Sequence, residues 1–178
     1  MSRNGRSLGL VQRIDIAAQV ADAMMYLGQN NIIHRDLGAR SVVINERGTC
    51  KIGHFELAKL AQGGEYIPRK HSETSFICPV RWTDPMCIVH GRFTDKSDVW
   101  SFGVFLMELM THGAIPYKEM ADCKVFDMVR LGYRLPHPDA CPNALYELML
   151  TCWNKDERQR KNFAELHLSL RSHFYLQQ

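Results

Sequence analysis

Between Ile33 and Ile44 the chain reads Ile-His-Arg-Asp-Leu-Gly-Ala-Arg-Ser-Val-Val-Ile. An imidazole (His34), two guanidinium groups (Arg35 and Arg40), a carboxylate (Asp36) and a hydroxyl (Ser41) are gathered in that one short stretch. His54-Phe55-Glu56 follows soon after. A metal site is one chemistry to weigh against such a set. Magnesium is a hard ion that takes oxygen ligands in octahedral geometry. The imidazole of His54 suits zinc or copper better, and a serine hydroxyl is a short, weak ligand. Yet the eight histidines and six cysteines follow no finger or catalytic zinc spacing. No Gly-x-Gly-x-x-Gly occurs either, so no glycine loop of that kind cradles a phosphate within this chain. Tyr66 lies in Gly-Glu-Tyr-Ile-Pro-Arg, ahead of Arg69.

The bulk composition limits what these residues can serve. A chain of 178 residues suits one domain, and a domain of that size hides roughly 70% of its unfolded surface. It is 46% hydrophobic and 23% charged, ordinary for a globular protein. The net charge is +3 and the basic residues form no stripe, which argues against nucleic acid. Cys50, Cys78, Cys87, Cys123, Cys141 and Cys152 contain no Cys-x-x-Cys pair, and no apolar signal core follows Met1. They are expected to be free thiols in a reducing compartment, the cytoplasm. No window approaches the ~18 apolar residues of a membrane span. Ser2 stands where an N-myristoylation signal needs glycine.

The elements that must carry the chemistry are mostly helical. Val11, Ile14, Ala18, Ala21 and Met25 recur at helical spacing from Leu10 to Leu27, and Gly28 offers a stop. Val42-Val43-Ile44 and Cys50-Lys51-Ile52 read as a small hairpin around Asn45–Gly48. Residues 57–92 show weak periodicity with Gly63-Gly64, Pro68, Pro79 and Pro85, and read as a long irregular segment. From about Ser97 to Met110 the apolar residues leave no polar face, which predicts a buried central helix. Three amphipathic helices follow: one through Val125, Met128 and Val129, one after Pro142 through Leu145 to Cys152, and one from Phe163 to Phe174.

In order, His34-Arg35-Asp36, Ala39-Arg40, Cys78–Thr83, Ser97–Gly103, Gly132–Pro136 and Cys152-Trp153 resemble the C-terminal lobe of a protein tyrosine kinase domain, closest to the Src-like non-receptor group. The resemblance covers residues 10–176 and leaves 1–9 as an N-terminal extension. It implies a mainly α fold of about five to six helices plus a small β hairpin, without the N-terminal lobe. Asp36 matches the acceptor of the substrate hydroxyl proton, and Arg40 a cation beside the transferring phosphoryl group. Tyr66 matches the regulatory phosphorylation position, with Arg35 as the phosphate partner. Asp98 matches a buried carboxylate that accepts hydrogen bonds from the catalytic-loop backbone. His34 and Phe55 match members of a packed column.

The departures from the family pattern fall on its metal site. Ser41 stands for the metal-binding Asn, and His54-Phe55-Glu56 for Asp-Phe-Gly. The Glu56 carboxylate stands two residues from the expected ligand position, so it is not expected to restore the metal site. Asp84-Pro85-Met86 replaces Ala-Pro-Glu while its ion-pair partner Arg160 stays, so Arg160 should be exposed or re-paired, with Asp84 or Glu157 at hand. The family would use ATP and magnesium; here no cofactor is expected, and Asp36 and Arg40 are expected to be vestigial. The reading is a truncated, inactive tyrosine-kinase-like protein that binds proteins. Its partners would be signalling proteins, an active tyrosine kinase among them, with no nucleic acid and no membrane insertion. A residual tyrosine kinase completed by another chain's N-lobe, and a decaying gene product without a specific role, stand beside it.

Overall fold

The structure, a computed structural model, describes residues 8–68 and 78–176, with side chains through residue 172. Arg69, the Phe174 side chain and the first residues of the N-terminal extension lie outside that range. The first helix, α1 (Leu10–Gln29), begins where the backbone N–H of Gly9 donates to Gln12 Oε1 at 3.0 Å. It runs past Gly28, because its end is made further on: Asn31 takes the left-handed conformation at φ 57°. Strand β1 (Ile32–Ile33) leads into the Ile33–Ile44 stretch. Then β2 (Val42–Ile44) and β3 (Cys50–Ile52) pair antiparallel with Val42 opposite Ile52, as the hairpin reading expects. Asn45 Oδ1 accepts the Arg47 and Thr49 N–H groups and closes the turn.

The segment expected to be irregular holds more order than its periodicity suggests. Strand β4 (Lys59–Leu60) pairs with β1. Strand β5 (Glu65–Tyr66) pairs with β6 (Phe93–Thr94), Glu65 opposite Thr94 and Tyr66 opposite Phe93. Between them lies helix α2 (Pro85–His90), capped by Asp84, whose Oδ1 accepts the Met86 N–H at 2.8 Å. Two-residue strands have no period to detect. Pro85 reads as a breaker, but it occupies the first helical position, where a missing N–H costs nothing.

Helix α3 (Asp95–Met110) is buried on all sides, with Val99, Phe102, Val104 and Leu106 fully enclosed. Thr94 and Ser97 form its capping box, which sets its start slightly ahead of the expected Ser97. Helix α4 (Asp122–Arg130), α5 (Asn143–Cys152) and α6 (Phe163–Leu176) complete the chain. Pro142 is the N-cap of α5, one position before the first turn where it was expected. Helix α6 lies along α1, and α3 packs between α1 and α5. The fold is thus mainly α, with six α-helices and three two-stranded antiparallel sheets among the described residues. No described helix is long and apolar enough to cross a membrane.

Candidate functional site

Two carboxylates of α3 hold the Ile33–Ile44 stretch in place. Near the start of the helix, Asp98 accepts the His34 N–H at 2.7 Å through Oδ2 and the Arg35 N–H at 2.9 Å through Oδ1. Near its end, Glu108 Oε2 accepts the Ala39 N–H at 2.8 Å and Trp82 Nε1–H at 3.0 Å. Both carboxylates are buried. Burial pushes the Asp98 carboxyl up to about 7, against the two amides that favour its charged form. Burial raises Glu108 as well, opposed by Trp82, the Ala39 amide and Arg40. The apolar reading of α3 passes over Glu108. A single acid in the middle of an apolar run is the signal, since a buried acid needs partners.

The loop held this way is backbone-strained and internally bonded. Arg35 sits at φ 67°, uncommon for a residue with a side chain. The His34 ring, fully buried, accepts the Asp36 N–H at Nδ1 (3.2 Å) and donates from Nε2 to the Gly53 carbonyl (2.9 Å). That pattern defines a neutral imidazole with the proton on Nε2. Burial lowers its pKa below the ordinary 6.5, in keeping. Asp36 forms an ion pair with Arg40, whose guanidinium stacks 4.3 Å over the Trp82 ring.

A family model for protein tyrosine and serine/threonine kinases matches residues 1–170. The chain belongs to that kinase family. Its members place ATP and magnesium with an Asp and an Asn, so the positions that the resemblance assigns to those ligands are the ones to examine. Ser41 is fully buried, and its Oγ donates to the Asp36 carbonyl. The hydroxyl is committed inside the loop. His54 takes a left-handed backbone at φ 60°, and its half-exposed ring lies 4.0 Å from Glu56, itself largely exposed. A committed hydroxyl and a solvent-facing imidazole do not make the oxygen octahedron that magnesium requires. The residues present do not fit the ion. Among the described residues, no group of three or more His, Cys, Asp or Glu side chains could hold a metal.

The other residues that the resemblance singles out lie around the loop as follows. Arg160 is buried and re-paired: Nη1 meets Asp84 Oδ2 at 2.6 Å and donates to the Lys96 carbonyl at 2.9 Å. Glu157, the other carboxylate at hand, pairs with Arg92 instead. Phe55 meets the His34 ring edge-on at 5.1 Å, yet it is 46% exposed. It borders an open groove of about 580 Å3 whose lining mixes apolar residues (Met25, Tyr26, Leu27, Ile52) with the charged Asp22 and Lys51. The resemblance's packed column is therefore covered on one side only. Arg35 packs its guanidinium 4.4 Å from the Phe93 ring and 5.0 Å from the Tyr66 ring, with Nη1 donating to the Leu57 carbonyl at 3.2 Å.

Proposed function

We propose that this chain is the C-terminal-lobe part of a tyrosine-kinase-like domain that binds proteins and does not transfer phosphate. One observation carries the reading. The scaffold around the loop is complete at Asp98 and Glu108, while the Ser41 and His54 side chains offer magnesium no ligand set. Phosphoryl transfer depends on positioning and on metal neutralisation of the phosphate charge. Asp36, already paired with Arg40, is then a vestige of the proton acceptor. The open groove beside Phe55 supports a role in contacts with other proteins, for which signalling proteins of the cytoplasm are the expected class.

Tyr66 is the modification position of this reading, and Arg35 its phosphate partner. The guanidinium is already against the ring, and its buried Nε has no hydrogen-bond partner among the described residues. A phosphate on Tyr66 could not restore catalysis without metal ligands, but it would recast the surface a partner meets.

Titrating the protein with ATP, with and without magnesium, tests the reading. No saturable magnesium-dependent binding is expected at millimolar nucleotide. Saturable binding abolished by a chelator would overturn it in favour of a residual kinase, the alternative that the surviving Asp36 and Arg40 support. Transfer of labelled phosphate from ATP to a tyrosine peptide would do the same.

A further inference from the structure

Arg92 joins parts of the chain that are far apart in sequence. Its Nη1 donates to Glu65 Oε2 at 3.2 Å, and its Nη2 to Glu157 Oε1. Glu157 opens a single 3-10 turn, Glu157–Gln159, and its Oε2 accepts from Thr94 Oγ1 at 3.3 Å. Glu65 and Tyr66 are the whole of β5, and their partners Thr94 and Phe93 are the whole of β6. A ladder this short is not stable by backbone pairing alone. What reinforces it is the side chains around it. Arg92, next to Phe93 in sequence, grips the strand opposite through Glu65 and the body of the domain through Glu157. On the ring side, Arg35 stacks against both Tyr66 and Phe93, and Lys59 Nζ lies 5.8 Å from the Tyr66 centroid.

We propose that Arg92 is a clamp that keeps Tyr66 in the β5–β6 pairing and so gates its modification. The proposal rests on the reading of Tyr66 as a modification position and adds what controls it. A modifying enzyme must draw the tyrosine and its neighbours out of the ladder, a local opening whose cost the clamp sets. The Arg92, Glu65 and Glu157 side chains are 37%, 39% and 31% exposed, so both ion pairs feel dissolved salt. Such a latch is firm enough to bias the segment and weak enough to release. As an arginine, Arg92 stays charged across the physiological range, and hydrogen bonding to Glu157, ahead of the pairing with Glu65, raises its pKa further.

The experiment uses the full chain and two readouts. Deuterium exchange follows peptides covering residues 59–68 and 92–95, with α3 as internal reference. The rate of phosphate incorporation at Tyr66 is measured with an added active tyrosine kinase domain, ATP and magnesium, with Tyr66→Phe as the blank. Arg92→Ala removes both arms. Glu65→Gln removes the charge of one arm and leaves the Arg92–Glu157 pair, which covers the case in which Arg92→Ala folds poorly. Exchange in both peptides should quicken roughly two- to fivefold in each variant, the size of an exposed ion pair lost, while α3 stays unchanged. Phosphate incorporation should rise in step, and added salt should do the same to the wild type. Unchanged exchange in Glu65→Gln and Arg92→Ala would overturn the clamp. Faster exchange with an unchanged phosphorylation rate would overturn the gating. Absence of phosphate at Tyr66 in every variant, Arg92→Ala included, would instead remove the underlying reading of Tyr66.

Discussion

Asp98 shows how much one side chain can organise. Its two oxygens take the N–H groups of adjacent residues, one of which, Arg35, is in a left-handed conformation. Without that acceptor, two buried donors are left unpaired, and the strained turn loses what holds it. Asp98→Ala should therefore cost roughly 1–3 kcal/mol or more, measured by urea denaturation. A loss within a few tenths would mean that the loop is held elsewhere. Arg160 makes the complementary case. Its guanidinium and the Asp84 carboxylate are both shielded from water, so removing one leaves a buried, uncompensated charge. Asp84→Ala should cost about 3–5 kcal/mol, with lost capping of α2 contributing part of it. Adding Met86→Glu to that variant offers Arg160 a new acid at the family's usual place and should recover a measurable share. An Asp84→Ala chain as stable as the wild type would show the pair to be dispensable.

At the scale of elements, α3 is the post to which the loop, the 3-10 turn at Glu157–Gln159 and α5 are fitted, and its packing allows little change. A methyl group on Gly103 would lie 2.6 Å from Trp153 Nε1 and 2.8 Å from Cys152 Cβ, so α5 would have to move. Gly103→Ala should destabilise by roughly 1–3 kcal/mol through overpacking, seen as a lower melting temperature. Gly28 in α1 is the opposite case, since a methyl group there meets nothing within 4 Å. Gly28→Ala should stabilise by about 0.5–1 kcal/mol through helix propensity alone. Equal melting temperatures for the two variants would contradict the packing described. The contrast also explains α1's length: Gly28 is helical because the chain reverses at Asn31, not at the glycine.

For the whole molecule, buried ionisable groups give stability a definite pH dependence. Asp98, raised from 3.8 to about 7, and Glu108, also raised, favour the fold when protonated. Their contribution is fully present at low pH and falls as pH rises; for Asp98 it is lost between about pH 4 and 7. His34, lowered below 6.5, acts the other way, and its contribution is lost as pH falls beneath 6.5. Asp98→Asn removes the Asp98 contribution. Relative to that variant, the wild type should lose stability between about pH 4 and 7, by about 1.4 kcal/mol for each unit of pKa difference. Denaturant titrations of both proteins at several pH values read the difference directly. A gap that does not vary with pH would show that the Asp98 carboxyl is not perturbed by the fold.

The helical plan, the Val42–Ile52 hairpin and the buried central helix were legible in the sequence, because each depends on local pattern, whereas the Ile33–Ile44 loop was legible only through its resemblance to a kinase catalytic loop. Apolar residues at helical spacing must bury one face, Asn45 and Gly48 must turn, and a helix without a polar face must lie inside. For Arg160 the sequence left two outcomes open, exposure or re-pairing, since a buried charge needs a partner, and it did not choose between Asp84 and Glu157. Only the tertiary structure decided that choice, along with the commitment of Ser41 to the Asp36 carbonyl, the grip of Glu108 on Ala39 and Trp82, and the Arg92 clamp. These contacts join residues far apart in sequence, or turn on which way a side chain faces. Likewise β4, β5 and β6 are strands because of what lies beside them, not because of what their residues prefer. Periodicity reports which face of an element is buried; which distant donor meets which acceptor is settled when the faces pack.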